Sequence, residues 1–269
     1  MPQILLAPYS IYYEIRGESC HPKLLFLHGF MGCGNDFDAI VDALLSEFCC
    51  LTVDLPGHGQ TQVLDSIGHG MEVLAPALLN LLRQLNFNPC HLVGYSMGGR
   101  LALHLSCLFP QHFLSVLLVS ASPGFEDESK RTLRRHQDAV LAAALGSEDW
   151  PTVLKRWYEQ PLFSSFKTCK SFNVIFQRRL QNCPHQLAQA LKGLGTGAQP
   201  SLWSALPSFK MPVTLVVGAL DLKFVQINQR MAAQIPLAQL KIVPACGHVV
   251  HAENSAAFIA VLQAHLSRR

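Results

Sequence analysis

The sequence predicts an α/β protein, with a mostly parallel central sheet, helices on both of its faces and an inserted helical lid. Three observations predict it. Short apolar runs recur without period-2 alternation, as expected of strands buried on both faces. Longer amphipathic stretches separate these runs, and a repeated β-α order implies a parallel sheet. The alternation then breaks between about 123 and 207, where only helical spacing appears.

Taken in order, 4–16 reads as a hairpin of antiparallel edge strands. Strands follow at 23–27, 49–53, 90–94, 114–120, 213–217 and 240–243, each a run of mainly Val, Leu, Ile, Phe or Cys. Helical spacing occupies 36–47, 70–85, 97–109, 225–233 and 255–265. Within the break, 126–144, 150–158, 168–181 and 185–193 all read as helices. The expected organisation is therefore a core of 1–122 and 208–269 carrying a lid of 123–207.

Composition narrows the function classes. With 269 residues, 49% hydrophobic and 14% charged, the chain is neither disordered nor a small disulfide scaffold. A net charge of +3 is too small for a general nucleic-acid binder, but its distribution is uneven. Residues 123–207 hold eleven basic and seven acidic side chains, which makes the lid +4 and leaves −1 for the remainder. A basic lid over a near-neutral body predicts a small anionic ligand. Many of its cations read equally well as solvated helix faces, so only the adjacent pairs Arg134-Arg135 and Arg178-Arg179 are singled out.

Nine cysteines without a C-x-x-C pair suggest reduced thiols in a cytoplasmic protein. Residues 1–9 lack a signal-peptide pattern, and no apolar run approaches the ~18 residues of a membrane span. Neither Walker A nor dinucleotide spacing occurs, so no nucleotide cofactor is expected. No obligate protein partner is indicated.

The chemistry-bearing motif is Gly94-Tyr95-Ser96-Met97-Gly98-Gly99, a G-x-S-x-G placed between a strand and a helix. Small residues on either side of Ser96 allow a strained turn that holds its hydroxyl at a helix N-terminus. Such a serine needs a base and an acid, in the chain order Ser, acid, His. Asp221 follows the strand 213–217, and His248 follows the strand 240–243, both at the sheet edge where α/β proteins bind ligands. An oxyanion hole would use the N–H of Met97 and one from the loop His28-Gly29-Phe30, with Phe30 as donor. Asp54-Leu55-Pro56-Gly57-His58-Gly59 reads as a structural tight turn. His248 and His251 form H-x-x-H, but no third ligand is evident, so a surface role is expected for His251 and no metal for the protein.

These residues together resemble the α/β-hydrolase superfamily over essentially the whole chain. Ser96 to Arg100, Arg134 to Asp138, Trp157-Tyr158-Glu159-Gln160-Pro161-Leu162-Phe163, 195–203 and Asp221-Leu222-Lys223-Phe224 resemble one subfamily, 2-succinyl-6-hydroxy-2,4-cyclohexadiene-1-carboxylate synthase. The resemblance implies a pyruvate-eliminating lyase of menaquinone or phylloquinone biosynthesis. It implies Ser96 as base, activated by His248 and Asp221, and Phe30 and Met97 as donors to an enolate oxygen. It further implies Tyr95, Arg100, Trp157, one of Arg134 and Arg135, and one of Arg178 and Arg179 as substrate-binding residues. Two other readings use the same residues. One is a carboxylic-ester or carbon–carbon bond hydrolase acting on an anionic substrate; the other is a catalytically silent binding module.

Overall fold

The computed structural model describes residues 2–64 and 70–268. Its strands are β1 (Gln3–Leu6), β2 (Tyr9–Arg16), β3 (Lys23–Leu27), β4 (Cys49–Val53), β5 (Gln62–Val63), β6 (Cys90–Tyr95), β7 (Phe113–Val119), β8 (Val213–Gly218) and β9 (Ala238–Val243). They form one sheet in the order β1-β2-β4-β3-β6-β7-β8-β9, with β5 paired to β2. The β1, β2 and β5 pairings are antiparallel, and everything from β4 to β9 is parallel. Strand order reverses beside β3, which lies between β4 and β6. Loops leaving β3 and β6 therefore diverge to opposite faces and open a crevice at the carboxyl edge.

Successive residues of β3 show why both faces must be covered. Leu25 and Leu27 join one apolar layer, while Leu24 and Phe26 join the other. The first layer is closed by α2 (Met71–Gln84) and α3 (Met97–Leu108), through Leu74, Leu78, Leu101 and Leu105. The second contains Ile40 and Val41 of α1 (Asp38–Asp42) and, near the C-terminus, Phe258 and Leu262.

Between β7 and β8 lie α4 (Glu128–Ser147), α5 (Trp150–Tyr158), α6 (Phe172–Leu180) and α7 (Pro184–Leu194), and no strand. Leu145, Leu154 and Leu187 from these helices continue the second apolar layer. The chain then adds α8 (Leu222–Ala232), α9 (Val250–Glu253) and α10 (Ser255–Leu266).

Three helices among the elements show how the structure departs from the sequence reading. The helix expected at 36–47 is a 3-10 turn, Gly34–Phe37, followed by the short α1. Asp36 accounts for the turn, because its carboxylate accepts the Cys33 N–H at 3.3 Å while its own N–H returns to the Cys33 carbonyl at 3.1 Å. The helix expected at 168–181 starts only at Phe172, Thr168 belonging to a separate 3-10 turn. Conversely, α8 begins three residues early because Asp221 accepts the Phe224 N–H and caps it. All nine cysteines are free, and among the described residues no helix is long and apolar enough to cross a membrane.

Several histidines are buried as neutral rings. His265 bonds Ser115 Oγ through Nε2 at 2.7 Å and Thr214 Oγ1 through Nδ1 at 2.8 Å. Burial pushes both His265 and His58 down to about 3. In the unfolded chain such rings titrate near ~6.5. Below that pH the unfolded state takes up protons that the folded state refuses, so stability is complete above it and falls as pH drops towards 3. By about pH 5 each ring should cost about 2 kcal/mol. Urea unfolding at about pH 7.5 and pH 5 should show a lower midpoint in acid, with part of the loss removed by His265→Asn.

Candidate active site

Ser96 sits between the last residue of β6 and the first of α3 with φ 49° and ψ −106°, a strained backbone for a residue with a side chain. Its neighbours hold it there: its N–H donates to the Val119 carbonyl at 2.8 Å, and its own carbonyl accepts the Arg100 N–H at 2.9 Å. The flanking glycines are required by contact. A Cβ at Gly98 would lie 2.2 Å from the Leu27 carbonyl oxygen, and one at Gly94 would lie 2.5 Å from that of Gly98.

His248 Nε2 is 3.1 Å from Ser96 Oγ, and His248 Nδ1 is 2.7 Å from Asp221 Oδ2. With the Nδ1 proton donated to Asp221, Nε2 is free to accept the serine proton. Three strand ends, those of β6, β8 and β9, supply the three groups. Phe224 packs on His248 at 4.7 Å between ring centroids, with Tyr95 at 5.6 Å and Phe163 at 6.1 Å. Asp221 and His248 are both buried.

Phe30 lies in a turn closed by the Gly32 N–H on the Gly29 carbonyl at 2.9 Å. Buried His28 secures it, accepting the Leu55 N–H at Nε2 and donating from Nδ1 to the Gly29 carbonyl, both at 2.8 Å. That links the Phe30 loop to the turn after β4, where Asp54 accepts N–H groups from Gly34 at 2.7 Å and Gln60 at 2.8 Å. Met97 opens α3, so its N–H has no intrahelical acceptor. Phe30 and Met97 both face the cavity that contains Ser96.

That cavity measures about 600 Å³ and runs between the sheet edge and the helices that follow β7. Tyr95, Arg100, Arg134, Trp157 and Arg179 line it, whereas Arg135 and Arg178 do not. In each adjacent pair one member lines the cavity and the other does not. Arg135 is half exposed beside Glu128 at 3.9 Å, and Arg178 reaches Asp36 at 3.1 Å. Arg134 also binds Asp138, at 2.7 Å.

Arg179 is held by both Asp36 oxygens, at 2.9 and 2.5 Å. Burial opposes both charges, but the opposite charge and hydrogen bonds of the partner, with smaller contributions from neighbouring groups, together offset it, holding the Asp36 carboxyl below and the Arg179 guanidinium above its ordinary range. The Arg179 Nε is buried with no hydrogen-bond partner. Arg100 is a different case. Buried, it donates to the Leu194 carbonyl at 2.7 Å and Gln199 Oε1 at 3.3 Å, and no carboxylate lies within ion-pairing distance among the described residues. Burial pushes its guanidinium down to about 10.

His251 does not occupy the surface position expected for it. It is buried, lines the cavity, and packs on Tyr95 at 4.5 Å and Phe37 at 5.1 Å; burial pushes it down to about 4. Among the described residues no group of His, Cys, Asp or Glu could hold a metal ion. Sequence reasoning missed Asp36, Gln199 and Lys223, all three part of the cavity or its supports. Lys223, inside the Asp221-Leu222-Lys223-Phe224 motif, and Gln199, inside the 195–203 motif, carried a sequence signal; Asp36 carried none.

Comparison with known proteins places this geometry. A family model described as alpha/beta hydrolase fold matches residues 22–255. The putative 2-succinyl-6-hydroxy-2,4-cyclohexadiene-1-carboxylate synthase of Bacillus subtilis (strain 168) is 33% identical over 245 residues, covering 90% of this chain and 89% of its own. Protein PHYLLO, chloroplastic, of Arabidopsis thaliana is 31% identical across 94% of this chain, which spans only 16% of PHYLLO's length. The structure of MenH from S. aureus superposes with a TM-score of 0.88 at 31% identity, covering 97% of this chain and 98% of that one.

The Asp36 contacts yield a stability prediction. Asp36→Asn leaves the buried Arg179 charge without its counterion, a loss of about 3 kcal/mol. Urea unfolding should register it, together with faster proteolytic cleavage within 123–207. A loss below about 0.5 kcal/mol would show that the pair does not fasten these helices.

Proposed function

The chain belongs to the α/β-hydrolase family, among the 2-succinyl-6-hydroxy-2,4-cyclohexadiene-1-carboxylate synthases, and from that premise we propose that it eliminates pyruvate from 2-succinyl-5-enolpyruvyl-6-hydroxy-3-cyclohexene-1-carboxylate. The step belongs to menaquinone or phylloquinone biosynthesis. The observation that carries the reading to an anionic substrate is Arg100, a buried guanidinium with neutral acceptors only, facing the same cavity as Ser96. An uncompensated buried cation is costly, and a substrate carboxylate would supply its missing partner. The substrate has three carboxylates, and Arg134, Arg179 and Lys223 face the cavity as well.

Going from substrate to product, the C2–H and C5–O bonds break, C2=C3 and C4=C5 form, and the former C3=C4 bond becomes single. Ser96 acts as the base. His248 Nε2 draws off the hydroxyl proton as Oγ removes the proton at C2, alpha to the succinyl ketone, and Asp221 stabilises the imidazolium. The enolate oxygen takes hydrogen bonds from the Phe30 and Met97 N–H groups, which suit an enolate as well as a tetrahedral oxyanion. As the enolate collapses, enolpyruvate leaves and gains a proton at carbon to become pyruvate. Trp157, packed on Phe30 at 5.5 Å, and Tyr95 wall the ring in and keep water out. The reaction needs no cofactor. Nine cysteines, all free, support a reducing compartment, and we read the protein as cytoplasmic.

Pyruvate release, followed with a coupled lactate dehydrogenase assay, tests the reading. Ser96→Ala should lower kcat by about 1,000-fold or more while the melting temperature stays near wild type; retained activity would place the base elsewhere. Arg100→Ala should raise KM about tenfold or more, with a smaller change in kcat. An unchanged KM would make Arg100 a purely structural tie to Leu194 and Gln199.

A further inference from the structure

The segment His248-Val249-Val250-His251-Ala252-Glu253 has a use that its histidines do not explain. Glu253 ends α9, and its carboxylate takes two backbone N–H groups, from Gly247 at 2.7 Å (Oε2) and from Val249 at 2.9 Å (Oε1). These amides lie immediately before and after His248. A helix cap would require only the Val249 N–H, the amide of the residue preceding α9. The Gly247 N–H lies outside the helix, and its bond to the second oxygen does nothing for the helix.

Other bonds fix the remaining points of the same loop. Ser120 Oγ donates to the His248 carbonyl at 2.9 Å, and the Cys246 carbonyl accepts the Leu220 N–H at 2.8 Å, one residue before Asp221. Ser120 is itself fully buried with φ 48°, and its N–H is bonded to the Val216 carbonyl at 2.9 Å. A Cβ at Gly218 would lie 2.1 Å from the Gly247 carbonyl oxygen, so the loop rests directly on the end of β8. The Cys246–Gly247 and His248–Val249 peptide groups are thereby each held at both their N–H and their carbonyl.

We propose that Glu253 is a positioning residue for proton transfer, a carboxylate clamp on both sides of His248 that sets Nε2 at its 3.1 Å distance from Ser96 Oγ. Bonds to a carboxylate are stronger than those to a neutral acceptor, and proton transfer is sensitive to displacements of well under ~1 Å. Glu253→Gln keeps the shape but turns an N–H donor towards one of the amides. This inference rests on the pairing of Ser96 with His248 and not on pyruvate elimination.

Its test is the rate at which a fluorophosphonate labels Ser96, a reaction that uses the serine and histidine but neither the natural substrate nor its binding groups. Glu253→Gln, Glu253→Ala and Ser120→Ala should each label about tenfold or more slowly than wild type, well below their melting temperatures. Glu253→Gln should lower kcat for pyruvate release by a similar factor with KM within about twofold. Labelling within about twofold of wild type in the folded Glu253 variants overturns the proposal, even where melting temperatures fall, because that combination is what helix capping alone would give. Wild-type protein that labels but releases no pyruvate refutes the elimination and leaves the clamp intact; wild-type protein that does not label overturns the Ser96–His248 pairing and the clamp with it.

Discussion

The site depends on how closely α3 approaches the ends of β3 and β6. With the Gly98 Cβ position 2.2 Å from the Leu27 carbonyl, no other residue fits without parting the helix from the sheet. This approach drives Ser96 to φ 49°, a strain of about 1–3 kcal/mol that the bonds to Val119 and Arg100 maintain. It also sets the Phe30 loop, which leaves β3, beside the first turn of α3. Because the sheet is parallel, β8 and β9 end at the same edge, and their loops bring Asp221 and His248 to the serine. The catalytic geometry is thus a property of strand ends rather than of the segment that covers them.

The cover is attached by charge. Asp36, in the turn after the Phe30 loop, receives Arg178 and Arg179 from α6, and Asn182 donates to the Met31 carbonyl at 2.8 Å. The Asn182 contact falls on the loop that carries Phe30, and the arginine contacts fall on the turn that follows it. The helices that roof the cavity and the loop that carries Phe30 are therefore mechanically one unit, and loosening Asp36 would disturb both. Two kinds of cation result. Arg179 and Arg134 are compensated by Asp36 and Asp138, while Arg100 has neutral acceptors only among the described residues. A pocket whose every arginine was already paired would have little preference for a polycarboxylate over an ester.

The parallel strands were legible because each is buried on both faces and reads as an unbroken apolar run. Ser96, Asp221 and His248 were legible because each lies in the short stretch that leaves the carboxyl end of such a run. Features set by distant partners were not. Residues 36–47 carry helical spacing, but Asp36 is committed to Cys33 and to arginines more than a hundred residues away, and the helix shrinks to five residues. The two residues of β5 exist only because β2 offers an edge. His251 looked like a surface residue because burial of a neutral imidazole between Tyr95 and Phe37 leaves no local trace. Glu253 was invisible for the same reason, since its partners are backbone amides, which no side-chain pattern reports.

The charge asymmetry led to the cavity by an indirect route. Of the eleven cations counted in 123–207, Arg134 and Arg179 line the cavity, while Arg131, Arg135 and Arg156 pair with Glu128 or Glu148 on the outside. Partners set that division: Arg134 turns to Asp138 and Arg135 to Glu128, while Arg178 and Arg179 share Asp36 and only Arg179 lines the cavity. The most exacting cation, Arg100, lies on α3 in the core rather than in the lid, and the lid meets it with neutral oxygens from Leu194 and Gln199. Net charge per segment therefore raised the expectation of an anion without singling out a residue for it. Burial without a counterion singles out Arg100, and it can be seen only once the chain is folded.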